Sequence, residues 1–259
     1  MPTPMITPIR SLIIFSLGLL LAGCAQNAAG PDYRDEVGDN GLLTPRAVFA
    51  RYTEALGGEN VLRSHESKTL SGDFALSSFG LSGTMDMKVA APNHVIQNIE
   101  LSGLGTINSG YNGEVAWSSD PLQGTQQLTG QTLKDMARQA EYYLSLNYAE
   151  IYPQQETVGL GEVNGVQAYE LKLTDADGGE TSAWFSEDSG LMIRTIATLS
   201  SPMGVMRTVT DILEYREFDG ENVPISMSVD QAGQQVEIEI YTVSFNDVSA
   251  ADFTPPNGI

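Results

Sequence analysis

The sequence has 259 residues, with 33 Asp and Glu against 13 Lys and Arg, and its formal net charge is −20. A chain this acidic lacks the clustered basic side chains that neutralise phosphates, which argues against a nucleic-acid partner and against a polybasic membrane-binding patch. Its single cysteine, Cys24, cannot form a disulfide within the chain. The fold must therefore depend on a hydrophobic core, which a domain of about 210 residues is large enough to bury.

The N-terminal residues have the pattern of a secretory signal. Arg10 is the only side-chain cation before an apolar run at residues 11–21 (SLIIFSLGLLL), and the small residues Ala22 and Gly23 follow the run. As a helix the run would span roughly 16 Å, about half of a bilayer core, so it predicts a cleaved signal at residues 1–23 and not a transmembrane helix. If Cys24 is not a lipidation site, the same residues are an ordinary signal peptide followed by an incidental cysteine.

Residues 21–24 (LAGC) resemble the bacterial lipobox. In that class of precursor the cysteine thiol is diacylated and the chain is cut just before it. The resemblance therefore implies lipidation of Cys24 and attachment to the membrane through an N-terminal lipid anchor. Ala25 follows, not Asp, which by resemblance to lipoprotein sorting in diderm bacteria favours the outer membrane. We expect an outer-membrane lipoprotein of the cell envelope that faces the periplasm.

The segment after the signal, residues 24–43, is small, polar and acidic with scattered Gly and Pro. This composition predicts a flexible tether before a folded domain at residues 44–256. The domain begins with a helix, in which Thr44 is the predicted N-cap and Pro45 takes the first helical position. Gly57-Gly58 predicts the end of this helix.

From residue 68 onward the apolar period changes to two. In residues 81–89 (LSGTMDMKV) apolar and polar side chains alternate, which is typical of an antiparallel strand with one solvated face. Asn112-Gly113 predicts a two-residue hairpin turn, and residues 132–146 (TLKDMARQAEYYLSL) interrupt the strands with the apolar stripe of a second helix. About eleven strands are predicted, at residues 68–76, 81–89, 94–101, 106–111, 114–118, 166–174, 181–186, 191–200, 205–215, 223–230 and 236–245. Such a meander curls strongly, and the two helices either fill its concave side or leave an apolar pocket there.

The sequence contains no recognised catalytic motif: no G-x-S-x-G, no H-E-x-x-H, no P-loop and no G-x-G-x-x-G after a strand. The two histidines, His65 and His94, are expected at the surface or at strand edges. Residues 175–178 (DADG) lack the EF-hand ligands at the fifth and twelfth positions, which hold Gly179 and Ser186, so they predict a hairpin turn. We expect a protein that is not an enzyme and has no metal or cofactor; a hydrolase that uses a histidine with carboxylates is the less favoured alternative.

Five stretches then occur in a recognisable order: ALGGENVL, GYNGEVAWSSDPLQG, WFSEDSGLMIR, LEYREFDGENVPISM and DVSAADFTPP. Over residues 46–256 this order resembles the outer-membrane lipoprotein-sorting-like proteins of the LolA/LolB (lipoprotein localization factor) superfamily. The resemblance implies an α+β fold that is mainly antiparallel β: an unclosed half β-barrel of about eleven strands, with two helices lidding the concave face. In the well-studied members that cavity shelters lipoprotein acyl chains, while relatives bind other lipids or act as envelope-stress sensors.

On this basis we predict a lipid-anchored periplasmic protein that binds an apolar ligand in a β-cup. The ligand is a lipoprotein acyl chain or another envelope lipid, and the role is lipoprotein or lipid handling at the outer membrane. Methionine suits a cavity that accepts flexible apolar chains, and residues 132–146 are the candidate lid. Strand parity and the helical stripe predict that the cavity is lined by Met85, Met87, Val89, Ile99, Trp117, Met136, Tyr143, Ile225 and Met227.

Residues 78–81 (SFGL) predict an exposed hairpin tip. LolB-like proteins use an exposed apolar loop to touch membrane, so Phe79 and Leu81 are candidate membrane contacts; the alternative is that Phe79 folds back onto its own sheet. A second function also stays open, namely a non-catalytic envelope interaction or stress-sensing module. In that case protein side chains fill the concave side completely, and the acidic surface binds a partner protein.

Overall fold

The computed structural model describes residues 33–201, 204–231 and 233–259, so that Cys24 and the predicted signal lie outside the described residues. Within these ranges the helices are α1 (Pro45–Ala55), α2 (Glu59–Leu62), α3 (Gly130–Gln139) and α4 (Leu144–Ile151), with 3-10 helices at Ser77–Phe79 and Ala250–Phe253. The strands are β1 (Ser67–Leu76), β2 (Leu81–Ala90), β3 (His94–Leu101), β4 (Gly105–Asn112), β5 (Ala116–Asp120), β6 (Gly124–Leu128), β7 (Gln154–Val163), β8 (Val166–Thr174), β9 (Glu180–Ser186), β10 (Met192–Ser201), β11 (Gly204–Phe218), β12 (Glu221–Gln231) and β13 (Gln234–Phe245).

These strands form one antiparallel sheet, in the order β6-β5-β4-β3-β2-β1-β13-β12-β11-β10-β9-β8-β7. The first and last strands of the chain, β1 and β13, pair with each other at the centre of the sheet. β6 and β7 follow one another in the chain but form the two opposite edges, so the sheet is unclosed. The predicted fold class, a mainly antiparallel and unclosed sheet with helices, is confirmed.

The edge strands β6 and β7 are the two that the sequence pattern did not predict. β6 (GTQQL) contains a single apolar residue, and β7 (QQETVGLGEV) has a register shift between Thr157 and Gly159 that breaks its alternation. An edge strand has a neighbour on one side only. Packing therefore imposes less pattern on its sequence than on that of a central strand.

The central strand β1 shows how the sheet divides its side chains. Leu70, Phe74 and Leu76 are buried on one face, while Asp73 is exposed on the other. We call the face of Leu70 and Phe74 the inner face, and the face of Asp73 the outer face. The same alternation continues in β2, as its period-two sequence predicted.

Helix α3 shows that the sheet curves. It contacts both β5 and β10, which are separated by eight strand spacings in the sheet order. In a flat sheet those two strands would be about 38 Å apart, whereas a ten-residue helix is only about 15 Å long. The sheet must therefore bend around α3, and the inner face is its concave side.

Helix α1 begins as predicted, because the side chain of Thr44 accepts a hydrogen bond from the backbone N–H of Ala47 and Pro45 follows. Its apolar side packs on the inner face: the rings of Phe49 and Tyr52 lie 5.3 and 5.2 Å from the ring of Phe185 in β9. No helix in the described part of the chain is long and apolar enough to cross a membrane.

The second half of the expected tether packs on this helix. Arg51 of α1 forms an ion pair of 2.7 Å with Asp35, and Val37 pairs with Leu43 in an isolated bridge. Leu43 is buried in the same core cluster as Val48, which places it in the position of a hydrophobic staple next to the N-cap. The ordered domain therefore begins before Thr44, its predicted start.

The helix predicted over residues 132–146 is two helices, α3 and α4. The chain leaves the helical pattern at Tyr142, whose backbone N–H donates to the carbonyl of Pro92 at 2.9 Å. Glu141 accepts hydrogen bonds from the backbone of Tyr143 and from the side chain of Asn147. These interactions replace helical bonds, and a helical stripe in the sequence does not reveal them.

Two of the stretches that carried the resemblance meet in space. The backbone and side-chain N–H groups of Asn222 donate to the carbonyls of Leu56 and Ala55, each at 2.9 Å. Gly57 has a φ of +126°, and a Cβ there would overlap the carbonyl of Gly220. The GG of ALGGENVL and the DGEN of LEYREFDGENVPISM thus form one close backbone junction at the end of α1.

Candidate functional site

Six of the nine predicted lining residues share the inner face. Met85 of β2 pairs with Ile99 of β3. Phe74 of β1 pairs with Ile238 of β13, which pairs in turn with Met227 of β12, so the face is continuous across these strands. The six residues are Met85, Met87, Val89, Ile99, Ile225 and Met227, each at most 8% exposed.

The two predicted helical residues lie apart from one another. Met136 of α3 belongs to a separate small cluster with Tyr111 and Ala116, over the β4–β5 side of the sheet. Tyr143, between α3 and α4, is half-buried and packs against the main core. Met136 is therefore not brought together with the methionines of β2 and β12.

Trp117 lies on the outer face, opposite to the side that strand parity had given it. It pairs with Gly110, and its indole Nε1 donates to Asn108 Oδ1 at 2.7 Å. Its neighbours Ala116 and Ser118 are the inward residues of β5, paired with Tyr111 and with Ser109. Trp117 is nevertheless fully buried: its ring lies over Gly110 of β4, and the 3-10 helix Ala250–Phe253 packs on β3 and β4.

The inner face is closed by the helices. Phe49 of α1 stacks on Tyr148 of α4 with 3.8 Å between ring centroids and also touches Phe185 of β9. Together with α3 these helices cover the concave side, which explains the low exposure of the six inner-face residues. A ligand can reach those side chains only when a helix moves.

Helix α3 is fastened to the β8–β9 turn by charged contacts. Arg138 forms ion pairs with Asp175 and, at 2.9 Å, with Asp135 of its own helix. Lys134 forms a more exposed pair with Asp177 at 2.6 Å. The residues that resembled a calcium loop therefore form a hairpin turn to which α3 is attached.

A buried ionic cluster lies on the inner face at the start of β1. Lys68 is fully buried and forms an ion pair with Glu221, whose other oxygen lies 2.9 Å from His65 Nδ1. His65 stacks on Phe245 with 3.7 Å between ring centroids. Burial alone would raise the pKa of Glu221, but Lys68 and His65 outweigh that effect and lower the pKa below its ordinary value. Glu221 is therefore a carboxylate at neutral pH.

The sequence pattern does not predict this cluster. His65 was expected at the surface, yet it is 3% exposed, and carboxylates approach both ring nitrogens because Asp219 lies 3.5 Å from Nε2. A signal existed in β1, where Lys68 is in phase with the inward residues Leu70 and Phe74. Neither ring nitrogen of His65 is hydrogen-bonded to a serine or cysteine in the described residues, and the cluster ties β1 to β12.

The predicted membrane-contact loop lies at one end of the sheet. Phe79 is 44% exposed, while Leu81 is half-buried. The backbone N–H of Gln235 donates to Ser78 Oγ at 3.1 Å, which fixes this tip beside β13. Two more exposed apolar residues, Leu122 and Val205, lie at the same end of the antiparallel strands.

Solved structures with similar folds include two that cover most of this chain. A DUF1329 family protein from Desulfovibrio piger is 15% identical, with a TM-score of 0.53 over 81% of this chain and 96% of that chain. A LolA superfamily protein from Nitrosomonas europaea is also 15% identical, with a TM-score of 0.53 over 82% of this chain and 98% of that chain. No protein-family model and no curated protein sequence matches the chain. The likeness that the sequence motifs indicated is thus confirmed for the fold: the chain has a β-cup similar to that of LolA superfamily proteins.

Proposed function

We propose that this chain is a lipid-anchored periplasmic protein whose β-cup binds an apolar ligand, either an acyl chain of a lipoprotein or another envelope lipid. The observation that carries the proposal is the continuous apolar inner face of an unclosed sheet, which runs from Ile99 and Met85 across Phe74 to Met227. The fold similarity to LolA superfamily proteins supports the same function.

The energy of burial is sufficient for tight binding. Each CH₂ group removed from water contributes about 0.8 kcal/mol, so a long acyl chain of about fifteen such groups contributes on the order of 12 kcal/mol. Association and ordering cost on the order of 4–15 kcal/mol. The net affinity therefore depends on how easily the helices leave the inner face, since acyl chain and helix compete for the same side chains.

Helix α3 is the proposed lid, within the segment that the sequence predicted. It packs on a small apolar cluster through Met136 and is otherwise attached by the charged contacts of Arg138 and Lys134, whereas α1 is anchored by Phe49 and Tyr52 in the aromatic core. Polar contacts are exchanged for water at lower cost than buried aromatic packing. The α3 side of the cup is therefore the side that opens.

The end of the cup that carries Phe79 and Leu81 is the proposed membrane contact. Phe79, Leu122 and Val205 are exposed there and lie on different hairpins of the sheet. Exposed apolar side chains at several points of this end of the sheet, the rim of the cup, favour its contact with a lipid surface. An acyl chain then passes from the membrane into the cup without being exposed to water.

The anchor is proposed to be a lipid on Cys24, which supplies the periplasmic, outer-membrane location. The substitution Cys24→Ser is expected to abolish incorporation of radiolabelled palmitate into the full chain. Equal labelling of the Cys24→Ser variant and the unaltered chain would contradict lipidation at this residue. This experiment tests only lipidation at Cys24, so its outcome does not affect the proposal that the cup binds lipid.

Lipid analysis tests the cup. Residues 25–259, purified from a bacterial periplasm without detergent, should release bound fatty acid or phospholipid on extraction and bind a fluorescent fatty acid saturably. An unlabelled long-chain fatty acid should displace the fluorescent one. Protein that is free of lipid and does not bind the fluorescent fatty acid would contradict the proposal.

A second candidate, an interaction module of the cell envelope, is favoured by a row of carboxylates on the outer face. Glu239, Asp73 and Glu100 lie in register across β13, β1 and β3, with Thr84 between the last two, and all three are exposed. Such a row fits a basic protein partner. Loss of a captured envelope partner when all three are changed to Asn or Gln, with lipid binding intact, would support this candidate.

A further inference from the structure

A cavity of about 430 Å³ lies on the outer face of the sheet, outside the apolar interior. It is found where β1 begins, between the β2–β3 turn and the C-terminal segment at residues 246–253. Its size is within the range of small-molecule sites, about 300–1,000 Å³. Neither the proposed lipid cup nor the rim uses this cavity.

The strand register explains why there is space. Ser67 of β1 pairs with Ala90 of β2, and Ala90 pairs with His94 of β3, so the three form a row on the outer face. Neighbouring strands are about 4.8 Å apart, so Ser67 and His94 are separated by roughly 10 Å with only a methyl group between them. The small side chain of Ala90 thus leaves a trough.

The far wall of the trough is fixed in place by the C-terminal segment. Asp252 forms an ion pair with Lys88, and Asp247 accepts a hydrogen bond of 2.9 Å from Thr69. Phe253 is buried, and its ring centroid lies 5.2 Å from that of His94. The wall is therefore a preformed part of the fold with an aromatic surface.

Two polar groups of this cavity are left without a partner among the described residues. The buried Nδ1 of His94 makes no hydrogen bond, while Ser67, which also lines the cavity, is 5% exposed. The carboxylate of Glu66 has no ion pair. By contrast, Asn246 and Ser249, which also line the cavity, are bonded within the protein. Buried polar groups are normally satisfied, so His94 Nδ1 requires a partner from outside.

We propose that this cavity binds a small primary amine with an apolar body. A carboxylate, a hydroxyl oxygen and an imidazole nitrogen all accept hydrogen bonds, and a primary ammonium has three N–H donors. Glu66 supplies the opposite charge, and no Lys or Arg lines the cavity to repel a cation. The apolar body packs on Ala90, Val248 and the ring of Phe253, which also attracts a cation through its face.

The NMR signals of the histidine rings can report binding at this cavity, because the chain has only two histidines. In the full chain labelled with ¹⁵N-histidine, at constant pH in detergent, phenethylamine should shift the His94 ring signals saturably and leave the His65 signals unchanged. The neutral analogue 2-phenylethanol should bind at least about fivefold more weakly, which is the size of an ion pair with a partly solvated carboxylate. The anion 3-phenylpropionate should produce no saturable shift.

Variants separate the site from a nonspecific effect. Glu66→Gln should raise the Kd for phenethylamine about fivefold. Glu217→Gln removes another exposed carboxylate, on β11, and should leave that Kd unchanged. Ala90→Val should weaken binding by filling the trough. The proposal is overturned if phenethylamine does not shift His94, if the alcohol binds as well as the amine, or if Glu66→Gln and Glu217→Gln behave alike.

Discussion

His65 and Glu221 are 156 residues apart in the chain and in direct contact, with 2.9 Å between Nδ1 and Oε2. The other oxygen of Glu221 binds Lys68, so one carboxylate serves two buried basic groups. This contact joins the start of β1 to the start of β12. It also places ionised groups on a face that is otherwise apolar.

Removing the shared carboxylate should destabilise the domain strongly. Glu221→Gln leaves Lys68 buried without its counter-ion, and breaking a buried pair from one side costs about 3–5 kcal/mol. We expect this loss in the free energy of unfolding measured with urea. Asp219→Asn changes the carboxylate that approaches His65 from an exposed position and should cost less than about 1 kcal/mol. Equal losses in the two variants would contradict the role given to Glu221.

The same cluster predicts acid sensitivity. The folded-state pKa of Glu221 lies below its ordinary value of 4.5, so its ionisation stabilises the fold fully above about pH 4.5. That contribution is lost as the pH falls through the lower, folded-state pKa. Asp252 adds to the trend, because its hydrogen bonds with Lys88 and Ser249 lower its pKa too.

Urea unfolding at a series of pH values below 5 measures this dependence. The free energy of unfolding should fall as the pH is lowered, and the slope should be smaller in Glu221→Gln than in the unaltered chain. Identical slopes in the two proteins would show that Glu221 does not carry the effect.

The alternation in β2 was sufficient to place Met85, Met87 and Val89 on the buried face, because that strand has one covered and one solvated side. In β5 the same alternation gives the wrong face for Trp117. There Ala116, Trp117 and Ser118 are all buried, since α3 covers one face of β5 and Trp117 lies over Gly110 of β4, a strand that the C-terminal segment covers on the other face. With both faces covered, alternation carries no information about direction.

The ionic cluster was hidden for a different reason. Lys68 and His65 lie in a polar stretch, HESK, whose composition predicts a solvent-exposed surface. Their partners, Glu221 and Phe245, come from more than 150 residues further along the chain. A pairwise contact of that sequence separation leaves no local pattern, so only the fold reveals it. The cavity beside His94 is hidden in the same way, because its far wall is the C-terminal segment.

Gly110 and Trp117 give a test of the outer-face assignment. A Cβ at Gly110 would overlap the indole ring, so Gly110→Ala should displace Trp117 and destabilise the domain by about 1–3 kcal/mol. Tryptophan fluorescence of the folded protein should shift to the red as the ring is exposed. Gly159→Ala places the same methyl group in open space on β7 and should change neither observable appreciably. Blue, unshifted fluorescence in Gly110→Ala would contradict the placement.

Arg138 should control access to the cup. Arg138→Met removes the ion pair that attaches α3 to Asp175 of the β8–β9 turn, so the helix should leave the inner face more often. We expect a several-fold faster association of a fluorescent fatty acid in stopped-flow measurements, and faster hydrogen exchange at residues 130–139. Lys134→Met removes only an exposed pair and should have a smaller effect. Faster exchange without faster association would show that α3 moves but is not the lid.

Phe79 should be required for contact with a lipid surface. Phe79→Asp puts a charge where the proposed rim contacts the membrane. Transfer of fluorescent fatty acid from donor vesicles to the cup should become at least tenfold slower, because desolvating a carboxylate costs several kcal/mol. Val166→Asp is the matched control: Val166 is 40% exposed against 44% for Phe79, but it begins β8 at the opposite end of the strands. Both variants remove an exposed apolar side chain and add one charge, so their stabilities should be similar. Transfer that slows equally in both would locate the membrane contact elsewhere, whereas slowing in Phe79→Asp alone follows from a rim that touches lipid at the Phe79 end.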